Sequence, residues 1–153
     1  MNIYSPLMEK PPYTIFYTDD DIDDRAFFIE AVRDVCPSLQ VATQSSGDEL
    51  LTMLQSPLPQ RLVLFLDLNM PFKDGFKVLK ELREFEQTKD LPVIIFSTTD
   101  NEEAIKKSRA LGANLYVKKP TSYNNLKNII RHSLSIDWNT FVATGDEFHC
   151  QIN

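Results

Sequence analysis

The stretch RLVLFLDLNMPFKDG, residues 61–75, decides the predicted fold. Its apolar run at 62–66 has no polar alternation, which is typical of a strand buried on both faces of a helix-covered parallel sheet. Asp67 ends the strand, and Pro71 and Gly75 mark a loop before a helical pattern begins. Chemistry in open α/β sheets collects at the carboxyl ends of the strands, so Asp67 is the first functional candidate. Taken alone, a loop aspartate is more commonly a turn or helix-capping residue.

Strand and helix patterns alternate along most of the chain. Predicted strands lie near 13–18, 39–43, 62–66, 91–96 and 115–117, and predicted helices near 23–35, 47–54, 75–86, 101–113 and 121–134. Such alternation implies right-handed βαβ crossovers and a parallel sheet with helices on both faces. We therefore predict an α/β, flavodoxin-like, doubly wound fold with a five-stranded parallel sheet in the order 2-1-3-4-5.

The bulk composition excludes several classes of protein. The chain has 153 residues, 42% hydrophobic and 25% charged, which fits one globular domain. The net charge of −6 argues against DNA as a partner, because phosphate binding needs a basic face. No apolar run approaches the ~20 residues of a membrane span, and residues 1–12 lack the pattern of a secretory signal. We therefore expect a cytoplasmic protein without membrane insertion, with Cys36 and Cys150 as free thiols.

Polar side chains follow four of the predicted strands at the point where each strand ends. They are Asp19 and Asp20 after the first strand, Asp67 after the third, Ser97 or Thr98 after the fourth, and Lys118 or Lys119 after the fifth. Because the carboxyl ends of parallel strands meet at one edge, we expect three carboxylates, a hydroxyl and an ammonium to converge there. Clustered carboxylates repel unless one holds a proton or a cation is present, and a hard, all-oxygen site suits Mg²⁺.

This set of groups is sufficient for phosphoryl transfer onto Asp67. An aspartate can act as a nucleophile towards phosphorus, and the transfer needs positioning and charge neutralisation rather than acid–base groups. The metal and Lys119 would supply positive charge, and Ser97 would donate a hydrogen bond to a phosphoryl oxygen. The two histidines, His132 and His149, fall on the last predicted helix and in the tail, where we expect solvated side chains.

Four short motifs stand at the predicted strand ends: DDDIDDR at 19–25, DLNMPFKDG at 67–75, STT at 97–99 and YVKKP at 116–120. Together they resemble the receiver domain of bacterial two-component response regulators, of the stand-alone chemotaxis type. Each motif alone is weak, whereas four in order at matching strand ends are specific. The resemblance covers about residues 13–135. Residues 1–12 are then a lead-in, and residues 136–153 are a tail partly packed on the domain, with no output domain.

The resemblance implies roles for the acidic residues. Asp67 is implied as the phosphoacceptor. Asp19 and Asp20 are implied as the acidic pair that holds Mg²⁺, with Mn²⁺ as the alternative ion. Asp67 and the backbone carbonyl of Asn69 complete the protein ligands. Arg25 lies six residues after Asp19, a spacing that favours Asp19 and Asp20 over the next two aspartates as the metal pair.

The resemblance also implies a phosphate-binding and switching group. Ser97 is implied as the hydroxyl that moves to the phosphate, and Lys119 as the phosphate-binding lysine, with a cis bond to Pro120. Lys119 is preferred to Lys118 because it directly precedes Pro120 and because strand alternation sends Lys118 to the opposite side. Tyr116 matches the aromatic switch residue, buried or exposed according to Ser97; a plain core aromatic is the alternative.

The implied function is a signalling switch rather than an enzyme with turnover, although the domain promotes its own phosphorylation and dephosphorylation. The phosphohistidine of a sensor histidine kinase or a histidine phosphotransfer protein is the donor, and a downstream protein is the target. Asn69 and Thr99, each two residues after a site residue, are implied as positions that tune the phosphate lifetime. A homodimer through the face of the fourth helix, fifth strand and fifth helix is also expected.

Two other functions fit parts of the pattern. A phosphohydrolase would use Asp19 as nucleophile and Asp21 as acid–base partner, but it needs a cap insertion and leaves Asp67 unexplained. A flavin carrier needs a Ser/Thr/Gly-rich loop after the first strand, where five aspartates would repel the phosphate.

Several other residues are explained by a structural role alone. Asp21, Asp23 and Asp24 fit capping and solvated charge, Asp74 and Gly75 fit a turn, and Phe27 and Phe28 fit the core.

Overall fold

The computed structural model describes residues 13–151, and the predicted lead-in at 1–12 lies outside that range. The described strands are β1 (Thr14–Thr18), β2 (Gln40–Gln44), β3 (Leu62–Leu66), β4 (Val93–Ser97), β5 (Leu115–Lys118) and β6 (His149–Cys150). Across residues 13–151 these six strands form one sheet in the order β2-β1-β3-β4-β5-β6, and every pairing is parallel. The predicted order of the first five strands is confirmed.

Helices cover both faces of this sheet, as predicted. The described helices are α1 (Ile22–Val35), α2 (Gly47–Met53), α3 (Gly75–Glu84), α4 (Glu102–Ala110), α5 (Tyr123–Ser135) and α6 (Gly145–Phe148). Helices α1 and α5 pack on one face, and α2, α3 and α4 supply buried residues to the other. Each helix begins at a side chain that accepts a hydrogen bond from a backbone N–H of the first turn, which satisfies donors that the helix itself leaves unpaired.

Strand β3 is buried along its whole length. Its residues alternate between the two cores: Val63 and Phe65 lie with the residues of α1 and α5, and Leu64 and Leu66 lie with those of α2 and α3. Burial on both faces holds the strand rigidly, because interiors are packed as densely as organic crystals. The residue after the strand, Asp67, therefore starts from a fixed position.

In helix α1, the exposure of one aromatic side chain differs from the prediction. It begins after Asp21, whose carboxylate accepts hydrogen bonds from the backbone N–H groups of Asp23 and Asp24 at 2.8 and 3.0 Å. Phe28 is fully buried, but Phe27 is 56% exposed, so its assignment to the core is wrong. Successive helical residues point about 100° apart, and in α1 this step turns the Phe27 ring away from the core that buries Phe28.

The tail adds a sixth strand that the sequence patterns did not predict. Strand β6 pairs with β5, placing His149 beside Tyr116 and Cys150 beside Val117. Phe148 at the end of α6 is 2% exposed. The tail does pack on the domain, but it extends the sheet as well. His149 is half-buried in that strand, so its expected place as a solvated side chain is also wrong.

Two further predictions concern the backbone. No peptide bond within residues 13–151 is cis, so the Lys119–Pro120 bond is trans and the cis bond implied by the resemblance is wrong here. Proline does not impose cis geometry, since the trans form of such a bond is favoured by about 0.5–1 kcal/mol.

In the described part of the chain, no helix has both the length and the apolar character needed to cross a membrane.

Candidate functional site

Asp67 lies directly beyond β3 and is fixed by its backbone. Its N–H donates to the carbonyl oxygen of Thr18 at 3.0 Å, which ties the ends of β1 and β3 together. The residue is 3% exposed. Gly75, at the start of α3, donates its N–H to the carbonyl of Leu68 at 3.0 Å, and a Cβ at this position would clash with the backbone of Asp67 and Leu68. Gly75 is therefore more than a turn residue: it lets α3 approach the Asp67 loop.

Lys119 connects three carboxylates. Its Nζ lies 2.6 Å from Asp19 Oδ2, 2.9 Å from Asp24 Oδ2 and 3.8 Å from Asp67 Oδ1. Lys118 instead forms an ion pair with Asp100 at 3.5 Å on the surface. The choice of Lys119 from strand alternation thus agrees with where the two side chains lie. The contact with Asp24 was not predicted, because the helix-capping interpretation already accounted for that residue.

Three carboxylates form a candidate metal site. Asp19, Asp20 and Asp67 each offer an oxygen atom, and these atoms all lie within 4.8 Å of one another. Asp19 and Asp67 are buried, whereas Asp20 is exposed, so the cluster opens to solvent on one side. Oxygen donors with access for water fit a hard divalent cation. The neighbouring Asp21 caps α1, which agrees with Asp19 and Asp20 as the acidic pair.

The protein's own groups stabilise the charge of Asp67 poorly. Burial is the main cause that raises the pKa of Asp67, to about 7, and the negative charges of Asp19 and Asp20 add to it. The ammonium of Lys119 acts in the opposite direction and lowers this pKa. Burial opposes the charge of Lys119 as well, but its hydrogen bonds to Asp19 and Asp24 leave the pKa of that lysine raised overall. A bound cation would relieve the repulsion among the carboxylates.

Tyr17 is a site residue that the sequence interpretation missed. Its hydroxyl donates a hydrogen bond to Asp19 Oδ2 inside the core. Burial first, and then this hydrogen bond, raise the pKa of Tyr17, so the hydroxyl keeps its proton. Arg25 holds the same aspartate from the other side, donating from Nη1 to the Asp19 carbonyl oxygen at 2.7 Å. Side chains two residues apart in a strand share a face, so this alternation pointed to Tyr17.

Ser97 ends β4, the strand that flanks β3 on the side away from β1. It is fully buried, and its Oγ lies 3.3 Å from both Asn69 Nδ2 and the Thr99 backbone nitrogen, which donate to it. Tyr116 is also fully buried, and its hydroxyl donates to the Thr99 carbonyl. The structure thus joins Ser97, Asn69, Thr99 and Tyr116 in one chain of contacts. Their switching and rate-tuning roles stay predictions, as does the role of the Asn69 carbonyl as a metal ligand.

Sequence comparison identifies the family of this chain. The model of the response regulator receiver domain matches residues 15–131. The chain belongs to this family. Response regulator Rcp1 from Synechocystis is 29% identical over 129 residues, which cover 80% of this chain and 84% of Rcp1.

Solved receiver structures agree with the fold. The structure of the phosphorylated cyanobacterial phytochrome response regulator RcpA has a TM-score of 0.71 and 29% identity, covering 80% of this chain and 91% of RcpA. The Mn²⁺-bound form of Rcp1 also has a TM-score of 0.71, with 25% identity, covering 88% of this chain and all of that one. The predicted family, the flavodoxin-like fold and the two-component signalling class are confirmed, and the phosphohydrolase alternative is not favoured.

Proposed function

We propose that Asp67 accepts a phosphoryl group from the phosphohistidine of a sensor kinase or phosphotransfer protein, in a Mg²⁺-dependent step. One observation carries the proposal: the buried carboxylate of Asp67 lies beside two further acids and 3.8 Å from the Lys119 ammonium. Receiver membership supplies the signalling context, and the geometry supports Asp67 as the residue that is modified.

The transfer forms one bond and breaks one. A carboxylate oxygen of Asp67 attacks phosphorus, the P–N bond of the donor phosphohistidine breaks, and its electron pair returns to the imidazole nitrogen. Only the ionised form of Asp67 can attack, and a pKa of about 7 leaves about half of the molecules protonated at this residue at neutral pH. A divalent cation in the acidic site would lower that pKa and neutralise charge on the phosphoryl oxygens. Asp19 and Asp20 would hold that ion, and the Mn²⁺-bound form of the relative Rcp1 supports Mn²⁺ as an alternative.

The remaining groups would respond to the negative charge of the phosphoryl group on Asp67. The Lys119 ammonium, 3.8 Å from Asp67, would pair with a phosphoryl oxygen, and the Ser97 hydroxyl would leave its present contacts to donate to another. The phosphoryl group would then hold the segment from Ser97 to Thr99 in one position. Because Tyr116 donates to the Thr99 carbonyl, that restraint reaches β5 and the face available to a protein target.

Phosphorylation can be measured directly. We expect the protein, incubated with Mg²⁺ and a small acyl-phosphate donor, to gain the mass of one phosphoryl group. The Asp67→Asn variant should gain none, and chelation of the metal should suppress labelling of the parent. Asp100→Asn is the matched control, because it removes a carboxylate that pairs with Lys118 outside the acidic site. Equal labelling of Asp67→Asn, or steady turnover of phosphate esters by the parent, would contradict the proposal.

A further inference from the structure

The tail occupies the edge of β5, which would otherwise be the end of the sheet. Strand β6 pairs with Tyr116 and Val117 of β5, and Phe148 is buried in the same core as Tyr116. Helix α4 also holds the tail: Arg109 donates to the Ala143 carbonyl at 3.3 Å, and its guanidinium lies 5.6 Å from the centre of the Phe148 ring. Backbone pairing, apolar burial and a cation–π contact therefore fix one short segment.

Tyr116 connects this tail to the phosphorylation site. On one side its hydroxyl donates to the carbonyl of Thr99, two residues beyond Ser97. On the other side its ring meets the His149 ring edge-on, with 5.9 Å between the ring centres. Tyr116 is fully buried in this arrangement. One side-chain position thus satisfies both contacts, and an outward rotation of Tyr116 would break both.

We infer that residues 144–150 act as a built-in ligand of the β5 edge, and that their docking and the phosphorylation of Asp67 reinforce each other. The inference rests on the proposed function. Phosphorylation would fix the segment from Ser97 to Thr99, and hence the inward position of Tyr116 on which the tail packs. Coupling between two sites is reciprocal, so a docked tail favours phosphorylation by the same factor. The face that a target meets on the phosphorylated protein would then include the tail, not a bare β5.

The chain carries its own reporter of docking. It has two cysteines, and Cys150 lies half-buried in β6. A Cys36→Ser variant leaves Cys150 as the single thiol, and an aromatic disulfide reagent then labels it at a rate set by how often the tail opens. Burial raises the pKa of Cys150, which slows labelling further while the tail is docked, because the thiolate is the reactive form. Labelling rate therefore measures the docked fraction.

The test compares labelling rates with and without Mg²⁺ and a small acyl-phosphate donor, while the mass of each sample reports phosphorylation. We expect phosphorylation to slow Cys150 labelling about fivefold or more, the lower end of typical couplings. The Asp67→Asn, Cys36→Ser double variant should show no change, which controls for side reactions of the donor. Unchanged or faster labelling of a sample that has gained the phosphoryl mass overturns the inference and leaves the phosphoacceptor function standing. Absence of the mass gain overturns both.

A pair of tail variants tests the reverse direction. Phe148→Ala removes the buried ring, and we expect faster Cys150 labelling together with a lower fraction of phosphorylated protein at a fixed donor concentration. Val142→Ala, at an 86% exposed position in the same tail, is the matched control and should change neither. If Phe148→Ala speeds labelling but leaves phosphorylation at the parent's level, the coupling is overturned. The labelling test on the Cys36→Ser protein keeps Phe148 in place, so it holds even if Phe148→Ala folds poorly.

Discussion

At the scale of single residues, Asp67 links the pH dependence of stability to the site. The pKa of Asp67 is raised to about 7 by burial, against an ordinary value near 4 in the unfolded chain. Between these two values the folded protein holds a proton that the unfolded chain releases. Stability is therefore expected to fall as the pH rises from about 4 to about 7 in metal-free buffer, and to level off above.

The Asp67→Asn variant should lack this pH-dependent loss of stability. We expect its free energy of unfolding to exceed that of the parent at pH 8 by a few kcal/mol, since one pKa unit corresponds to about 1.4 kcal/mol. The difference should shrink at pH 5. Urea unfolding in the presence of a chelator, at both pH values, measures it, with Asp100→Asn as the control. The same pH slope for parent and Asp67→Asn would contradict the assignment.

Gly75 carries a second prediction at this scale. A methyl group there would overlap the backbone of Asp67 and Leu68, so Gly75→Ala must displace the loop that holds the phosphoacceptor. We expect a loss of about 1–3 kcal/mol in stability, typical of overpacking, and slower phosphorylation of Asp67. Urea unfolding and the mass assay measure the two effects. Gly145→Ala is the control, because its added Cβ would meet only the end of the Arg109 side chain. Comparable losses in both variants would contradict this explanation.

At the scale of secondary-structure elements, the predictable part of the fold is the part with long patterns. The apolar run of β3 and the helical spacing of α3 and α5 each extend over several residues, and these elements lie where they were predicted. Strand β6 has two residues, too few for any period, and its position depends on an exposed edge of β5 that only the folded sheet provides. Tertiary context, not local propensity, forms it.

The residues of the site also divide into those that the sequence predicted and those that it missed. Strand ends brought Asp67, Asp19 and Lys119 together correctly, because the order of a parallel sheet fixes which ends are neighbours. Asp24 was missed because helix capping already explained it, and Tyr17 was missed because it was assigned only to the first predicted strand. The trans bond before Pro120 also could not be derived, since both isomers of such a bond are close in energy.

A capping box was the sequence signal for the missed helix α6. Thr144 Oγ1 accepts from the Glu147 N–H at 3.3 Å, and Glu147 Oε1 accepts from the Thr144 N–H at 3.0 Å. We expect Thr144→Ala to weaken tail docking by about 1 kcal/mol, or about fivefold in the open fraction. Cys150 labelling in the Cys36→Ser background measures it. Thr140→Ala, which removes a weak exposed contact at 3.4 Å, is the control. An unchanged labelling rate for Thr144→Ala would show that the cap does not hold the tail.

At the scale of the whole molecule, the acidic site should make stability depend on divalent metal. A ligand that binds only the folded state at a hundred times its Kd adds about 2.7 kcal/mol of stability. We expect Mg²⁺ to raise the Tm of the parent, a chelator to reverse the rise, and Asp20→Asn to reduce it strongly. Differential scanning fluorimetry measures the shift. Asp48→Asn, which removes an exposed carboxylate that pairs with Lys73, is the control. An equal Mg²⁺ response in Asp20→Asn and the parent would contradict the metal assignment.

The tail should also govern self-association, because a homodimer through α4, β5 and α5 would use the edge that β6 now covers. Truncation after Thr140 removes α6 and β6, keeps Trp138, and leaves β5 as an edge strand, paired with β4 alone and with the backbone groups of its other edge exposed. We expect the truncated chain to dimerise at concentrations where the full chain stays monomeric, as measured by sedimentation velocity. A synthetic peptide of residues 141–153 should restore the monomer.

The net charge of the truncated chain determines whether salt strengthens or weakens its dimerisation. The full chain has a net charge of −6, and truncation removes Asp146 and Glu147, so the truncated chain carries −6 + 2 = −4. Two truncated copies therefore repel, and their association must come from strand pairing and apolar contact. Raising the ionic strength from about 0.01 M to 0.15 M shortens the Debye length from about 30 Å to about 8 Å. The truncated dimer is therefore expected to strengthen with salt. A truncated chain that remains monomeric at both ionic strengths would show that the exposed edge of β5 does not by itself bring two copies together, and the homodimer face would have to lie elsewhere.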